Sequence, residues 1–177
     1  MYVDNDPVVL AHARALLTSS PEGATGYVEA DLRDTATVLR RAGDVLDFGK
    51  PLAILLVGVL HCISDDDSPR AVVARLLAAA ASGSYLVIAH PASDIDAVQV
   101  AAASTRLNEM MAEPVTLRGY LEVARLFVGL DLVEPGLVQL HRWRPGPEGP
   151  VPSHDIANYG GVGQKAGRRA RRRSAPA

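Results

Sequence analysis

The spacing of hydrophobic and polar positions changes repeatedly along this chain, and each change marks an element boundary. Met1-Tyr2-Val3 is a short extended apolar stub that runs into Asp4-Asn5-Asp6-Pro7. From Val8 to Leu17 the apolar residues Val9, Leu10, Ala13, Leu16 and Leu17 recur at helical spacing, with His12 and Arg14 on the other face. Asp6 suits the cap of that helix because its carboxylate can accept a free N–H of the first turn. Pro7 fits the first helical position, where no N–H is needed. Ser20-Pro21-Glu22-Gly23 breaks the chain. Gly26 to Ala30 predicts a second short strand ending at Asp31, and Asp34 opens a helix over 35–41.

Leu52-Ala53-Ile54-Leu55-Leu56-Val57 is apolar without alternation, which predicts a strand buried on both faces. Ser64 to Pro69 stops that run, and a helix follows through Ala81 with Ser68 at its cap and Gly83 beyond its end. Ser84 to Ala89 is the next buried strand. Helical spacing returns over 95–111 and 116–128, with Pro114 between them and Gly129 closing the second. The segments 132–134 and 137–143 predict two strands joined across Pro135-Gly136 as an antiparallel hairpin at the sheet's edge. Strands alternating with helices predict an α/β sandwich around a mostly parallel sheet.

Composition narrows this picture. With 177 residues, 48% hydrophobic and 21% charged, the chain suits one soluble domain with a real core. That domain is expected over residues 1–145, and 146–177 is expected to be a Gly/Pro/Arg-rich, largely disordered tail. The acids near Met1 are unlike an export signal, and Pro51 to Leu60 is far shorter than the roughly 20 residues of a membrane span. Cys62 is the single cysteine, so an intramolecular disulfide and a cysteine metal cage are both excluded. The cytoplasm is the expected location, with no membrane partner.

The net charge of −2 hides an asymmetry, because the segment from Lys165 onward holds six of the 18 basic residues and no acid, leaving the body at −8. An acidic body with a short basic end does not carry the basic face of a nucleic-acid-binding domain, so no such partner is expected. The arginines from Arg168 to Arg173 read as a solubilising end. Tyr159-Gly160-Gly161-Val162-Gly163 is no phosphate loop, since neither the preceding strand nor the following Lys-Ser/Thr helix is predicted.

Candidate chemistry sits where strands end, because ligands of open α/β sheets bind beyond the C-terminal strand tips. Asp4 ends the first strand, and its carboxylate could accept both hydroxyls of a ribose; capping the following helix is the competing role. Asp31 could accept from an adenine amino group, or serve only its own turn. His61 follows the most apolar strand and could orient or deprotonate a substrate, although a lone histidine there is more often a structural hydrogen-bonder. Asp65-Asp66-Asp67 reads as a solvated helix N-terminus, and no metal is expected.

Taken together, Tyr2-Val3-Asp4-Asn5-Asp6-Pro7-Val8-Val9, Ala30-Asp31-Leu32-Arg33-Asp34 and Leu55-Leu56-Val57-Gly58-Val59-Leu60-His61 resemble an actinobacterial family of S-adenosylmethionine-dependent methyltransferases, formerly a domain of unknown function (DUF574-type). Gly83-Ser84-Tyr85-Leu86-Val87, Leu132-Val133-Glu134-Pro135-Gly136 and Tyr159 to Gly163 share that likeness, which extends to about Lys165. It implies a Rossmann-like class I methyltransferase sandwich with a C-terminal antiparallel hairpin, and S-adenosylmethionine as cofactor. Asp4 with Asn5 would stand at the ribose, and Asp31 with Leu32 at the adenine. Val57 and Gly58 would line the floor beneath the methionine moiety, with His61 as the catalytic candidate toward the acceptor.

Such proteins carry a first strand and a glycine-rich loop ahead of the Tyr-Val-Asp strand, and this sequence starts inside that second strand. The expectation is therefore an N-terminally truncated domain, through a misplaced start, a shortened gene or completion by a partner, with the misplaced start favoured. The function expected is methyl transfer to an unidentified small-molecule acceptor, and self-association as a homo-oligomer is left open. A non-catalytic remnant acting as a ligand-binding or protein-interaction module is the alternative. A nicotinamide oxidoreductase also suits a strand-end acid, but the closing hairpin and the lack of a Tyr-x-x-x-Lys pair argue against it.

Overall fold

A computed structural model describes residues 1–17, 19–20, 22–111, 113–146 and 152–167. Strands β1 (Tyr2–Asp4) and β2 (Tyr27–Glu29) form a two-stranded parallel sheet in which Val3 lies opposite Val28. Helix α1 (Pro7–Leu16) connects them and packs on both. Its start is fixed locally, because the Asp6 carboxylate accepts the Val8 N–H at 2.7 Å. Leu10 is the buried residue of its apolar stripe. Helix α2 (Thr35–Ala42) begins in the same way, with Asp34 accepting the Thr37 N–H at 3.1 Å.

The second sheet has five strands. Strand β3 (Ala53–Val57) pairs in parallel with β4 (Tyr85–Pro91), and α3 (Pro69–Ala79) connects the two. Beyond β4 the chain forms α4 (Ala97–Met110), α5 (Tyr120–Arg125), β5 (Leu130–Leu132), β6 (Val138–Gln139) and β7 (Asn158–Lys165). The sheet order is β3-β4-β7-β5, with β6 also on β7, and every pairing of β7 is antiparallel. Around this sheet the core gathers Leu56, Leu60, Val72, Val73, Leu86, Ile88, Val123 and Phe127. The α/β sandwich is the expected one, although antiparallel pairing reaches further into the sheet than a terminal hairpin would bring it.

Several local expectations are corrected. The segments 132–134 and 137–143 do not make a hairpin with each other: β5 and β6 each pair with β7, and residues 140–142 form a short helical turn. The expected boundary at 145 fails for the same reason, since β7 lies between β4 and β5 in the sheet. Its glycines are no mark of disorder. They serve close approach instead, because a Cβ on Gly163 would lie 2.9 Å from Leu130 Cδ1 and one on Gly161 3.1 Å from the Phe127 ring. Lys165 is likewise no free tail residue, for its Nζ donates to the Leu77 and Ala80 carbonyls at 2.7 Å each, closing the C-terminal end of α3. The arginines from Arg168 onward lie outside the described residues.

Strand β3 is covered on one face, not two. Leu56 is buried, but Leu55 and Val57 are 63% and 59% exposed on the opposite face. Ser68 precedes α3 with a left-handed backbone (φ 51°) and makes no side-chain cap bond. Residues 116–119 are extended ahead of α5, with the Thr116 N–H donating to the His61 carbonyl at 2.7 Å, so the expected helix over 116–128 shortens to Tyr120–Arg125.

Candidate active site

A cavity of about 760 Å³ fills the gap between the two sheets, running along the whole of β1 and β3 and reaching the turn after β2. Asp4 and Asn5 enter it from β1, Asp31 and Leu32 from the turn after β2, and Val57 and Gly58 from the end of β3. Val3, Leu39, Ile54 and Phe48 supply apolar wall. At Gly58 the backbone turns through φ 66° while its N–H donates to the Ala89 carbonyl at 3.0 Å, and no atom lies within 4 Å of where a Cβ would stand. Glycine removes the strain that an L side chain would meet there, and it leaves the strand tip open.

The two acids differ in what remains free. Asp4 Oδ1 accepts the Asp6 N–H at 2.9 Å, a local turn bond that occupies one oxygen of a group with several acceptor positions. Asp31 is more fully engaged. Its Oδ1 accepts the Arg33 backbone N–H at 2.7 Å, and the Arg33 guanidinium spans both oxygens, closest at 2.6 Å. That hydrogen bond, with the charge behind it, holds the Asp31 carboxyl below the usual carboxylate range despite partial burial. Arg33 also meets Glu113 at 3.3 Å and Asp67 at 3.6 Å, and its own pKa is raised by Asp31 first and Glu113 second. Water screens pairs this exposed, so the cluster shapes the cavity rim more than it stabilises the fold.

His61 is not in this cavity. The short helical turn Leu60–Cys62 stands between two spaces: Cys62 faces the first, and His61 faces a second pocket of about 240 Å³. His61 Nδ1 is buried without a hydrogen-bond partner, and its ring meets His90 edge-on at 6.3 Å. Burial first, and the Arg118 charge second, lower the His61 pKa, which keeps the ring neutral. Leaving such a nitrogen unsatisfied costs about 1–3 kcal/mol. Burial raises the pKa of the Cys62 thiol.

Arg118 and His90 went unmarked in the sequence. Arg118, 3% exposed, donates to the carbonyls of Leu60 (2.9 Å) and Ile63 (2.7 Å), to His90 Nε2 (3.0 Å) and to Asp65 (2.8 Å). Because the guanidinium only donates, His90 Nε2 must accept, and Nδ1–H then donates to the Pro91 carbonyl at 2.8 Å. Burial pushes the His90 pKa down to about 4. All three acids of the run are exposed, as expected of a solvated helix start, while Asp65 also pairs with Arg118 and Asp67 accepts from Ser64 Oγ at 2.9 Å. An arginine in the apolar company of Val115 and Leu117 was the available signal. Among the described residues, no group of three or more potential ligands could hold a metal ion. No described helix is long and apolar enough to cross a membrane.

A family model described as S-adenosyl methyltransferase matches residues 1–166. The chain is similar to the crystal structure of a DUF574 family protein from Streptomyces avermitilis, at 40% identity and TM-score 0.84, covering 93% of this chain and 64% of that one. It is also similar to a Thermobifida fusca protein proposed to be a methyltransferase, at 34% identity and TM-score 0.79, covering 94% of this chain and 62% of that one. The chain therefore spans less than two thirds of the length of either. Human N-acetylserotonin methyltransferase, solved in complex with S-adenosylmethionine, shares the fold at 13% identity and TM-score 0.54, covering 94% of this chain and 40% of that one. None of the curated proteins matches.

Proposed function

We propose a methyl-transfer function for this chain, which belongs to the S-adenosyl methyltransferase family. The proposed reaction moves the methyl group of S-adenosylmethionine to a small-molecule acceptor. One observation carries the reading: Asp4 and Asp31, at the tips of adjacent parallel strands, border a single cavity together with an apolar wall.

The residues present fit an adenosine group. Asp4 Oδ2 is left to accept from the ribose hydroxyls, and Asn5 beside it adds amide groups. Leu32, with Val3 and Leu39, offers the apolar surface that a purine ring needs, and Asp31 marks the adenine end. Arg33 takes up most of the Asp31 acceptor capacity, so Asp31 contributes less to adenine recognition than its position suggests. Val57 and Gly58 line the floor toward the methionine moiety. When bound, the cofactor supplies a methyl group already activated at a sulfonium, so positioning carries much of the rate. His61, on the side of the Leu60–Cys62 turn that faces away from this cavity, is proposed to meet the acceptor. A cytoplasmic location belongs to the same proposal.

Isothermal titration of the full chain with S-adenosylhomocysteine tests this reading, with NAD as the control. Binding of the former alone is expected, and Asp4→Ala should weaken it at least tenfold, about 1.4 kcal/mol. Undiminished binding by a folded Asp4→Ala variant would refute the ribose assignment. If wild type binds neither ligand, the non-catalytic interaction module becomes the better reading.

A further inference from the structure

Strands β1 and β3 are each paired on one edge only, and both border the gap between the sheets. The parallel ladders show which backbone groups are left over. Gly26 and Ala30, flanking β2, bond to Tyr2 and Asp4, so the intervening Val3 turns its N–H and C=O toward the gap. On β3, the Leu52 carbonyl and the Gly58 N–H bound the ladder to β4, which uses the even-numbered positions. Ala53, Leu55 and Val57 therefore present their N–H and C=O groups to the gap, and all three are exposed. The two edges run the same way. Arg33, after β2, reaches Asp67, after β3, at 3.6 Å. At the other end, the Met1 and Val45 side chains lie 3.0 and 3.1 Å from where a Cβ on Gly26 would stand. Val38, Leu39 and Ala42 of α2 and Leu76 of α3 line the same gap. A row of unpaired strand N–H and C=O groups is a template for another strand, and here two such rows flank one apolar floor.

We propose that this gap binds an extended segment of a partner protein as a strand between β1 and β3: an uncharged apolar run, as long as the five residues of β3, followed by basic residues. The inference does not rest on the methyl-transfer reading, because it concerns the length of the gap rather than the acids at its end. Two free edges decide the form of the occupant. A strand already in a sheet has at most one edge to offer, so a folded copy of this chain would satisfy only one side of the slot. A segment outside any sheet satisfies both. The walls decide its side chains. Residues of α2 and α3 on one face, and Leu55 and Val57 on the other, give it apolar neighbours on both, as for a doubly covered strand. Charge decides its flank. The charged side chains bordering the gap are Asp4, Asp31 and Glu113 against Arg33, a net −2, and they stand at the end where β1 and β2 terminate. Basic residues after the run are attracted there, and acidic ones are repelled.

Hydrogen exchange of the ¹⁵N-labelled full chain, with and without the capped peptide Ser-Val-Ile-Val-Ile-Val-Lys-Lys, tests the inference. Saturable binding should slow exchange at Val3, Ala53, Leu55 and Val57 at least tenfold, because their N–H groups gain acceptors. A strand seated between two others uses both alternating sets of its own N–H groups. N-methylation of either set should therefore weaken the peptide at least tenfold, and glutamates in place of its lysines should weaken it several-fold at low salt. Leu55→Pro removes an N–H that faces the gap and none from the β4 ladder, so it should weaken the peptide similarly; if that variant does not fold, the methylated peptides decide. Binding that tolerates methylation of one set would mean addition to a single edge and would overturn the proposal, as would binding without protection at those four amides. Protection of the same amides in a self-associating wild-type sample without peptide would make a second copy the occupant, and would equally overturn it. S-adenosylhomocysteine added to the same wild-type sample separates the two ideas. If it binds and the peptide does not, the strand proposal alone fails; if the peptide binds and it does not, the methyl-transfer reading alone fails.

Discussion

Arg118 exchanges water for four acceptors, and two of them, the Leu60 and Ile63 carbonyls, belong to the segment that divides the two cavities. Arg118→Met keeps the volume but leaves those carbonyls and His90 Nε2 without a donor. Asp65, which is largely exposed, recovers water. A loss of about 2–4 kcal/mol is expected in urea unfolding. His90 makes stability depend on pH through the same cluster. Its pKa is about 4 when folded, against 6.5 for the unperturbed group, so the unfolded chain takes up a proton that the folded chain refuses. The stabilisation is complete above pH 6.5 and is lost as pH falls toward 4, by at most roughly 3 kcal/mol. His61, also lowered, adds in the same direction. His90→Gln should flatten the urea midpoint between pH 7 and 4.5; an unchanged slope would remove His90 from this role. Asp4 and Asp31 were legible in the sequence because a strand-end acid is a local feature. Arg118 was not, because its partners stand 28 to 58 positions away.

Among elements, the helix starts at Asp6 and Asp34 followed the sequence closely, since a cap joins residues two or three apart. Strand β7 did not. Its glycines carry neither apolar periodicity nor β propensity, and their purpose appears only against Phe127, Leu130 and Leu140. Gly163→Val should therefore overpack the β5 contact and destabilise by about 1–3 kcal/mol, read as a lower urea midpoint at constant slope. A neutral result would mean that Leu130 can move aside freely. The supposed hairpin fails on the same ground: Pro135-Gly136 does turn the chain, but Leu130 pairs with Lys165 and Gln139 with Tyr159, so the turn does not set the pairing.

For the whole molecule, β7 is the strand through which β5 and β6 join β4. Removing residues 158–167 should uncouple them and leave β4 with a bare edge, so cooperative thermal unfolding by circular dichroism should be lost. Retention of a sharp transition would restore the boundary at 145. The open face of β3 belongs to this scale too. Leu55 and Val57 are as apolar as a doubly covered strand requires, yet this structure covers only the Leu56 side. Composition reports what a strand can tolerate on each face, and assembly decides what it meets there.

By itself the sequence determined the α/β class, the helix caps and the acids at the strand tips, because each follows from the local backbone or from hydrophobic spacing. The tertiary structure alone decided that β7 enters the sheet, that Arg118 is buried and that His61 turns away from the cavity of Asp4 and Asp31. Those outcomes depend on contacts between residues distant in the chain, whose energies no local pattern records.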